Sequence, residues 1–145
     1  MPGLDPKVAV HRLAIDPSTK PVKQAQRRMN PDLQLPVIAE VDKMEKAGFI
    51  EPCIYTSWLS NIVVVRKKNG QIRVCVDFRD VNQACPKDDF PLPITELMVD
   101  STTGHELLTF MDGSSGYNQI KMAEEDKLHT AFRTPKALKL SLIHI

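Results

Sequence analysis

No stretch of this 145-residue chain holds the roughly 18 consecutive apolar residues that a membrane-spanning helix needs. Its first residues, MPGLDPKVAVHR, lack the basic-then-apolar order of a signal peptide. The expectation is an intracellular chain with no membrane partner and no legible targeting signal. Cysteine is scarce too. Cys53, Cys75 and Cys85 are odd in number and far apart, which fits neither a disulfide framework nor a zinc site and points to a reduced environment. Glycine is outnumbered by proline, six to eleven, so short elements with stiff joints are expected in place of a helical bundle. There is no internal repeat and no low-complexity tract. What remains is ordinary: 42% apolar and 26% charged residues speak against wholesale disorder. The length suits about one domain, which would bury roughly 68–70% of its extended surface.

The net charge of +1 conceals a segregated pattern. Residues 1–30 carry Lys7, Arg12, Lys20, Lys23, Arg27 and Arg28 against Asp5 and Asp16. Residues 61–80 carry Arg66, Lys67, Lys68, Arg73 and Arg79 against Asp77 and Asp80, and residues 85–106 reverse the sign. Separate basic and acidic patches suit a polyanion held near a metal, although each basic cluster alone also reads as a solvated face.

Along the chain, residues 1–30 lack apolar periodicity and hold Pro2, Pro6, Pro17 and Pro21, which predicts an extended connector or arm. NPDLQLPVIAEVDKMEKAGFIEP is predicted helical, opened by Asn30-Pro31, striped by Val37, Val41 and Met44, and closed by Gly48. Pro36 should kink that helix or delay its start. NIVVVRK and QIRVCVDF flank Asn69-Gly70, a strong hairpin signal. CPKDDFPLP is a stiff loop, PITELMVDSTTG a short helix, and ELLTFM an apolar strand that delivers Asp112; HTAFRTP is a later strand.

Two places carry candidate chemistry. Lys67 and Lys68 flank the hairpin turn and Arg73 lies on its returning strand, so the tip can close over a phosphate chain; charged edge strands that block mispairing read the same way. Asp112 sits where an apolar strand ends, followed by Gly113-Ser114-Ser115-Gly116 and Tyr117. The glycine-rich turn offers backbone N–H groups to phosphate oxygens, and Asp112 is an oxygen donor of the kind Mg²⁺ takes. An Asx-turn explains an isolated Asp-Gly equally well.

From Ala47 to Pro135 the order AGFIEP, WLSNIVVVRKKNGQIRVCVDFRDVNQACPKDDFPLP, FMDGSSGYNQI, EEDKLHTAFRTP closely resembles the N-terminal half of the reverse transcriptase of gypsy-type LTR retrotransposons, most like those of plants. The resemblance implies an α+β fold, a right-hand polymerase fragment with an antiparallel β-hairpin and an incomplete palm sheet. Residues 1–30 would be the connector from the protease side of the polyprotein, 31–89 the fingers, 90–135 the start of the palm, and 136–145 a tail outside the family pattern. It implies that Asp112 is the first metal-binding catalytic aspartate, beside the Gly113 carbonyl. Lys67 and Arg73 would contact the phosphates of the incoming nucleotide, Ser115 and Gly116 would hold them through backbone N–H groups, and Tyr117 would exclude a 2′-hydroxyl. Asp77, Phe78 and Arg79 match a strand with a structural or template-side role.

The implied activity is RNA-directed DNA polymerisation with two Mg²⁺ ions about 3.5–4 Å apart, on an RNA or DNA template-primer with dNTPs, alongside the rest of the Pol polyprotein. Met111-Asp112-Gly113 stands where Leu-Asp-Leu is common, and Pro36 where an aliphatic residue is usual. After Pro135 the pattern is expected to stop, since KALKLSLIHI shows neither the family's next strand nor an Asp-Asp pair. The chain alone is therefore expected to be inactive. The alternative is a non-enzymatic retrotransposon remnant with at most weak nucleic-acid binding.

Overall fold

The computed structural model describes residues 3–87, 89, 91–109, 116–136 and 139–142. Helix α1 (Pro31–Lys46) begins where the sequence says it should: Asn30 caps it, its Oδ1 accepting the Asp32 N–H at 3.0 Å, and Pro31 occupies the first turn. It ends at Gly48, whose φ of 73° is the left-handed value that a side chain resists. Of the kink or delayed start expected at Pro36, the delay is corrected, because the helix runs through it from Pro31. Pro36 lies one turn in and exposed, so the helix gives up one hydrogen bond near its end and buries Val37 and Val41 regardless.

Strands β2 (Ile62–Arg66) and β3 (Ile72–Val76) form the predicted hairpin, with Ile62 opposite Val76 and Arg66 opposite Ile72. Gly70 (φ 81°) donates its N–H to the Lys67 carbonyl at 3.0 Å, and the Lys67 N–H reaches the Gln71 carbonyl at 2.7 Å. This is a three-residue loop closed by a glycine in the left-handed region. Strands alternate their faces, so Ile62, Val64, Ile72, Val74 and Val76 share one face, and all pack against the core of Val37, Val41, Ile50, Phe132 and Leu140.

The remaining sheet has the order β1 (Ile50–Cys53), β5 (Lys139–Leu142), β4 (Phe132–Arg133), all antiparallel neighbours. Here the expectation that the segment after Pro135 forms no strand of this sheet is corrected over Lys139–Leu142. KLSL alternates apolar and polar and forms the central strand, with Leu140 only 1% exposed. Pro52 is tolerated in β1 because β1 is an edge strand with no partner on its other side among the described residues. The expected strand HTAFRTP is shorter than predicted: only Phe132–Arg133 pair, while Lys127–Thr130 form a 3-10 turn.

Two short helices complete the body. α2 (Arg79–Ala84) buries Val81 and Ala84 against Trp58, with Leu13, Ile15 and Phe78 around them. α3 (Thr95–Asp100) buries no residue. The expected strand ELLTFM is corrected over residues 106–109, which are irregular, with Leu107 87% exposed. A strand needs a partner for its ladder, and no described segment pairs with this one. Phe110 to Ser115 lie outside the described residues.

Candidate active site

The hairpin turns one face to the core and leaves the other free. Val63, Val65, Arg73 and Cys75 fall on that second face by strand alternation, with Val65 opposite Arg73, and Lys67 follows β2 at the turn. Lys67 and Arg73 are both exposed, and neither has a carboxylate partner among the described residues. Two cations of different geometry, a point charge at the turn and a planar fork on β3, thus stand on one hairpin without a carboxylate partner among the described residues. Gly116 and Tyr117 begin a 3-10 turn (Gly116–Gln119); a Cβ at Gly116 would meet nothing within 4 Å, and Tyr117 is 79% exposed. Asp112, Gly113 and Ser115 lie outside the described residues. Among the described residues no three His, Cys, Asp or Glu side chains gather as a metal site.

At the foot of the hairpin the chain places charge of the opposite sign, and buries it. Asp77, with its side chain 4% exposed, accepts Arg79 Nε at 2.7 Å on Oδ1 and Arg79 Nη2 at 2.7 Å on Oδ2, and takes Arg27 Nη2 at 3.0 Å. The Arg79 hydrogen bonds, together with the charge of Arg27 and against the opposing effect of burial, hold its carboxyl at about 2. Asp77 therefore works as a structural anchor, an assignment the sequence allowed beside a template-side role.

A groove of about 740 Å³ opens next to this anchor, lined by Arg27, Arg28, Arg133, Met29, Leu33 and Ile62 among others. Arg28 has no carboxylate partner among the described residues. The groove gathers Arg27, Arg28 and Arg133 beside the start of β2, an arrangement suited to a polyanion. Residues 26–30, at the end of the N-terminal arm, supply one wall of the groove. Gln24 is hydrogen-bonded to Asn61, Asp77 and Asp80, and the Leu13 N–H to Asp126 Oδ2 at 2.8 Å. Sequence reasoning missed Gln24 because its partners lie far along the chain and no periodicity marks them.

The fold is that of a polymerase. The chain superposes on prototype foamy virus protease–reverse transcriptase with a TM-score of 0.75 at 21% identity, covering 94% of this chain and 18% of that one. A foamy viral protease–reverse transcriptase solved in complex with double-stranded DNA gives a TM-score of 0.69 at 19% identity, over 95% of this chain and 23% of that one.

Residues 65–144 match the family described as Reverse transcriptase (RNA-dependent DNA polymerase), and the chain belongs to that family. The match runs past Pro135 and takes in β5. An uncharacterised protein of Caenorhabditis elegans is 32% identical over 105 residues, 70% of this chain and 8% of that protein. The transposon Tf2-3 polyprotein of Schizosaccharomyces pombe is 30% identical over 77 residues, 53% of this chain and 6% of the polyprotein. The chain thus spans under a tenth of the curated relatives it matches and holds part of a reverse transcriptase. The family generally uses divalent metal ions.

Proposed function

We propose that this chain is the fingers and the start of the palm of an RNA-directed DNA polymerase from the Pol polyprotein of a gypsy-type, plant-like LTR retrotransposon. Its partners are a template-primer of RNA or DNA, dNTPs and the rest of the polyprotein. The transposon relative and the DNA-bound foamy viral neighbour support the partners, and the motif order supports the lineage. The observation that carries the site reading is the pair of exposed cations on one hairpin, Lys67 at its turn and Arg73 on β3, with no carboxylate partner among the described residues.

In this reading Arg73 clamps two phosphate oxygens of the incoming nucleotide and Lys67 neutralises a third, while the Ser115 and Gly116 N–H groups donate to the same triphosphate. The Tyr117 ring packs under the sugar and leaves no room for a 2′-hydroxyl. Asp112 and the Gly113 carbonyl are oxygen donors that fit Mg²⁺ in kind. Bound Mg²⁺ supplies charge neutralisation at the attacking and leaving oxygens, and the rest of the catalysis is positioning. The basic groove takes the nucleic-acid backbone, with affinity that falls as salt rises.

The test is a titration of the chain with a deoxynucleoside triphosphate. Arg73→Ala and Lys67→Ala each weaken binding by about tenfold, the loss of one charge-assisted contact. Lys68→Ala, at the turn, changes it little. Equal effects of all three substitutions reduce the hairpin to a charged edge. In the complete polymerase Asp112→Asn abolishes primer extension, and Tyr117→Ala relaxes discrimination against ribonucleotides; retained extension or an unchanged ratio removes the corresponding role.

A further inference from the structure

We infer that Gln24, on the N-terminal arm, is a positioning residue for the hairpin cations: it fixes the hairpin's open end and so sets where Lys67 and Arg73 stand. The inference rests on the reading of that hairpin face as the triphosphate site. An isolated two-stranded hairpin is marginally stable, and its geometry is set by what holds its ends. The closed end is the turn at Gly70. The open end is the pair Asn61 and Asp77, joined by the Asp77 N–H to the Asn61 carbonyl at 2.9 Å.

Gln24 straddles that pair. Its Oε1 accepts the Asn61 N–H at 2.8 Å and Asn61 Nδ2 at 3.2 Å, while its Nε2 donates to the Asp77 carbonyl at 3.0 Å and to Asp80 Oδ2 at 2.7 Å. Its own backbone is also tied: the N–H donates to the Leu59 carbonyl at 2.9 Å, and the carbonyl accepts Arg133 Nη1 at 3.0 Å. The side chain thereby joins the entry to β2, the exit of β3 and the first turn of α2, while the backbone carbonyl ties in β4 through Arg133. The neighbouring Arg27 adds its ion pair to Asp77 at 3.0 Å. No packing demand explains so complete a use of one carboxamide, whose four hydrogen bonds all converge on the hairpin foot and the helix that follows it.

The geometry makes that foot sensitive. A strand of five residues is a lever of roughly 17 Å, so a tilt of about 5° at its base moves the tip by about 1.5 Å. A misplacement of that size is enough to cost a positioned charge most of its effect.

The experiment compares wild type, Gln24→Ala, Gln24→Glu and Gln24→Glu with Asp80→Asn in the full 145-residue chain, reading amide hydrogen exchange and triphosphate affinity. Gln24→Ala is expected to speed exchange of the β2 and β3 amides by about tenfold while those of β1 and β5 keep their rates, and to weaken triphosphate binding by a similar factor. Gln24→Glu, of the same shape, sets a carboxylate against Asp80 and the Asp77 carbonyl and does at least as much damage. Adding Asp80→Asn restores a donor and recovers part of the loss, which a packing role would not give. Unchanged hairpin exchange in Gln24→Ala, or faster exchange in both sheets alike, overturns the inference. So does faster hairpin exchange with undiminished triphosphate affinity. A wild-type chain that binds no triphosphate overturns the reading of the site instead, and the exchange rates then decide by themselves whether Gln24 clamps the hairpin.

Discussion

Residues 3–30 and residues 91–109 are both proline-bearing stretches outside the sheets, and they are held in opposite ways. The first contains no helix, yet Leu4, His11, Leu13, Asp16 and Gln24 each give a backbone N–H to the body, and Leu13 and Ile15 pack on the Trp58 cluster. The second contains helix α3 and buries none of its residues: Leu97, Met98 and Val99 are 56–62% exposed. Regular backbone is therefore no measure of how firmly a segment is fixed. The arm meets its hydrogen-bonding needs with distant partners, whereas α3 satisfies its own and contributes nothing to a core.

The sharpest way to break this contrast is Trp58→Ala. Trp58 is 3% exposed and joins the arm to α2, so its loss is expected to cost about 3–5 kcal/mol, a large share of a domain's stability, by urea denaturation followed by circular dichroism. A loss below about 1 kcal/mol, the size of an ordinary surface change, would mean the arm is laid on the surface without cohesion. Acid is the next lever. The folded Asp77 value of about 2 lies below the ordinary 3.8, so its contribution is complete above about pH 4 and is lost as pH falls towards 2. The emission of Trp58, the sole tryptophan, should report loosening of the arm over that window, and Asp77→Asn should flatten the response. An identical acid profile in both chains would place the transition on other carboxylates.

Smaller effects follow on exposed groups. Arg12→Ala removes an ion pair to Glu125 whose side chains are 67% and 62% exposed, and it should cost no more than about 1 kcal/mol, less at high salt. Leu97→Ala, in α3, should stay within about 0.5 kcal/mol by the same denaturation measurement. A larger loss there would show that α3 is packed in solution and would erase the difference between the two stretches.

Local chemistry made part of this legible in sequence. The Asn30 cap, the Gly48 stop and the Val37–Val41 stripe named α1, and Asn69-Gly70 between two alternating runs named the hairpin, with Lys67 beside its turn and Arg73 on the returning strand. What failed was decided by partners. ELLTFM has strand composition but nothing described to pair with, and KALKLSLIHI was set aside although its residues Lys139–Leu142 lie between β1 and β4. Gln24 was invisible because its bonds reach residues 61, 77 and 80, and no local pattern encodes such distances. Of the candidate site, Lys67, Arg73, Gly116 and Tyr117 can be placed; Asp112, Gly113 and Ser115 rest on sequence.

The position of β5 also bears on when the molecule can assemble. Ile50 pairs with Leu142, and the middle strand of the sheet is the last to leave the ribosome. Synthesis proceeds at about 5–20 residues per second, so for several seconds β1 waits with one side of its ladder open while α1 and the hairpin can already associate. The contacts of α1 and the hairpin are thus local in sequence, whereas the pairing of β1 with β5 needs a long loop closure.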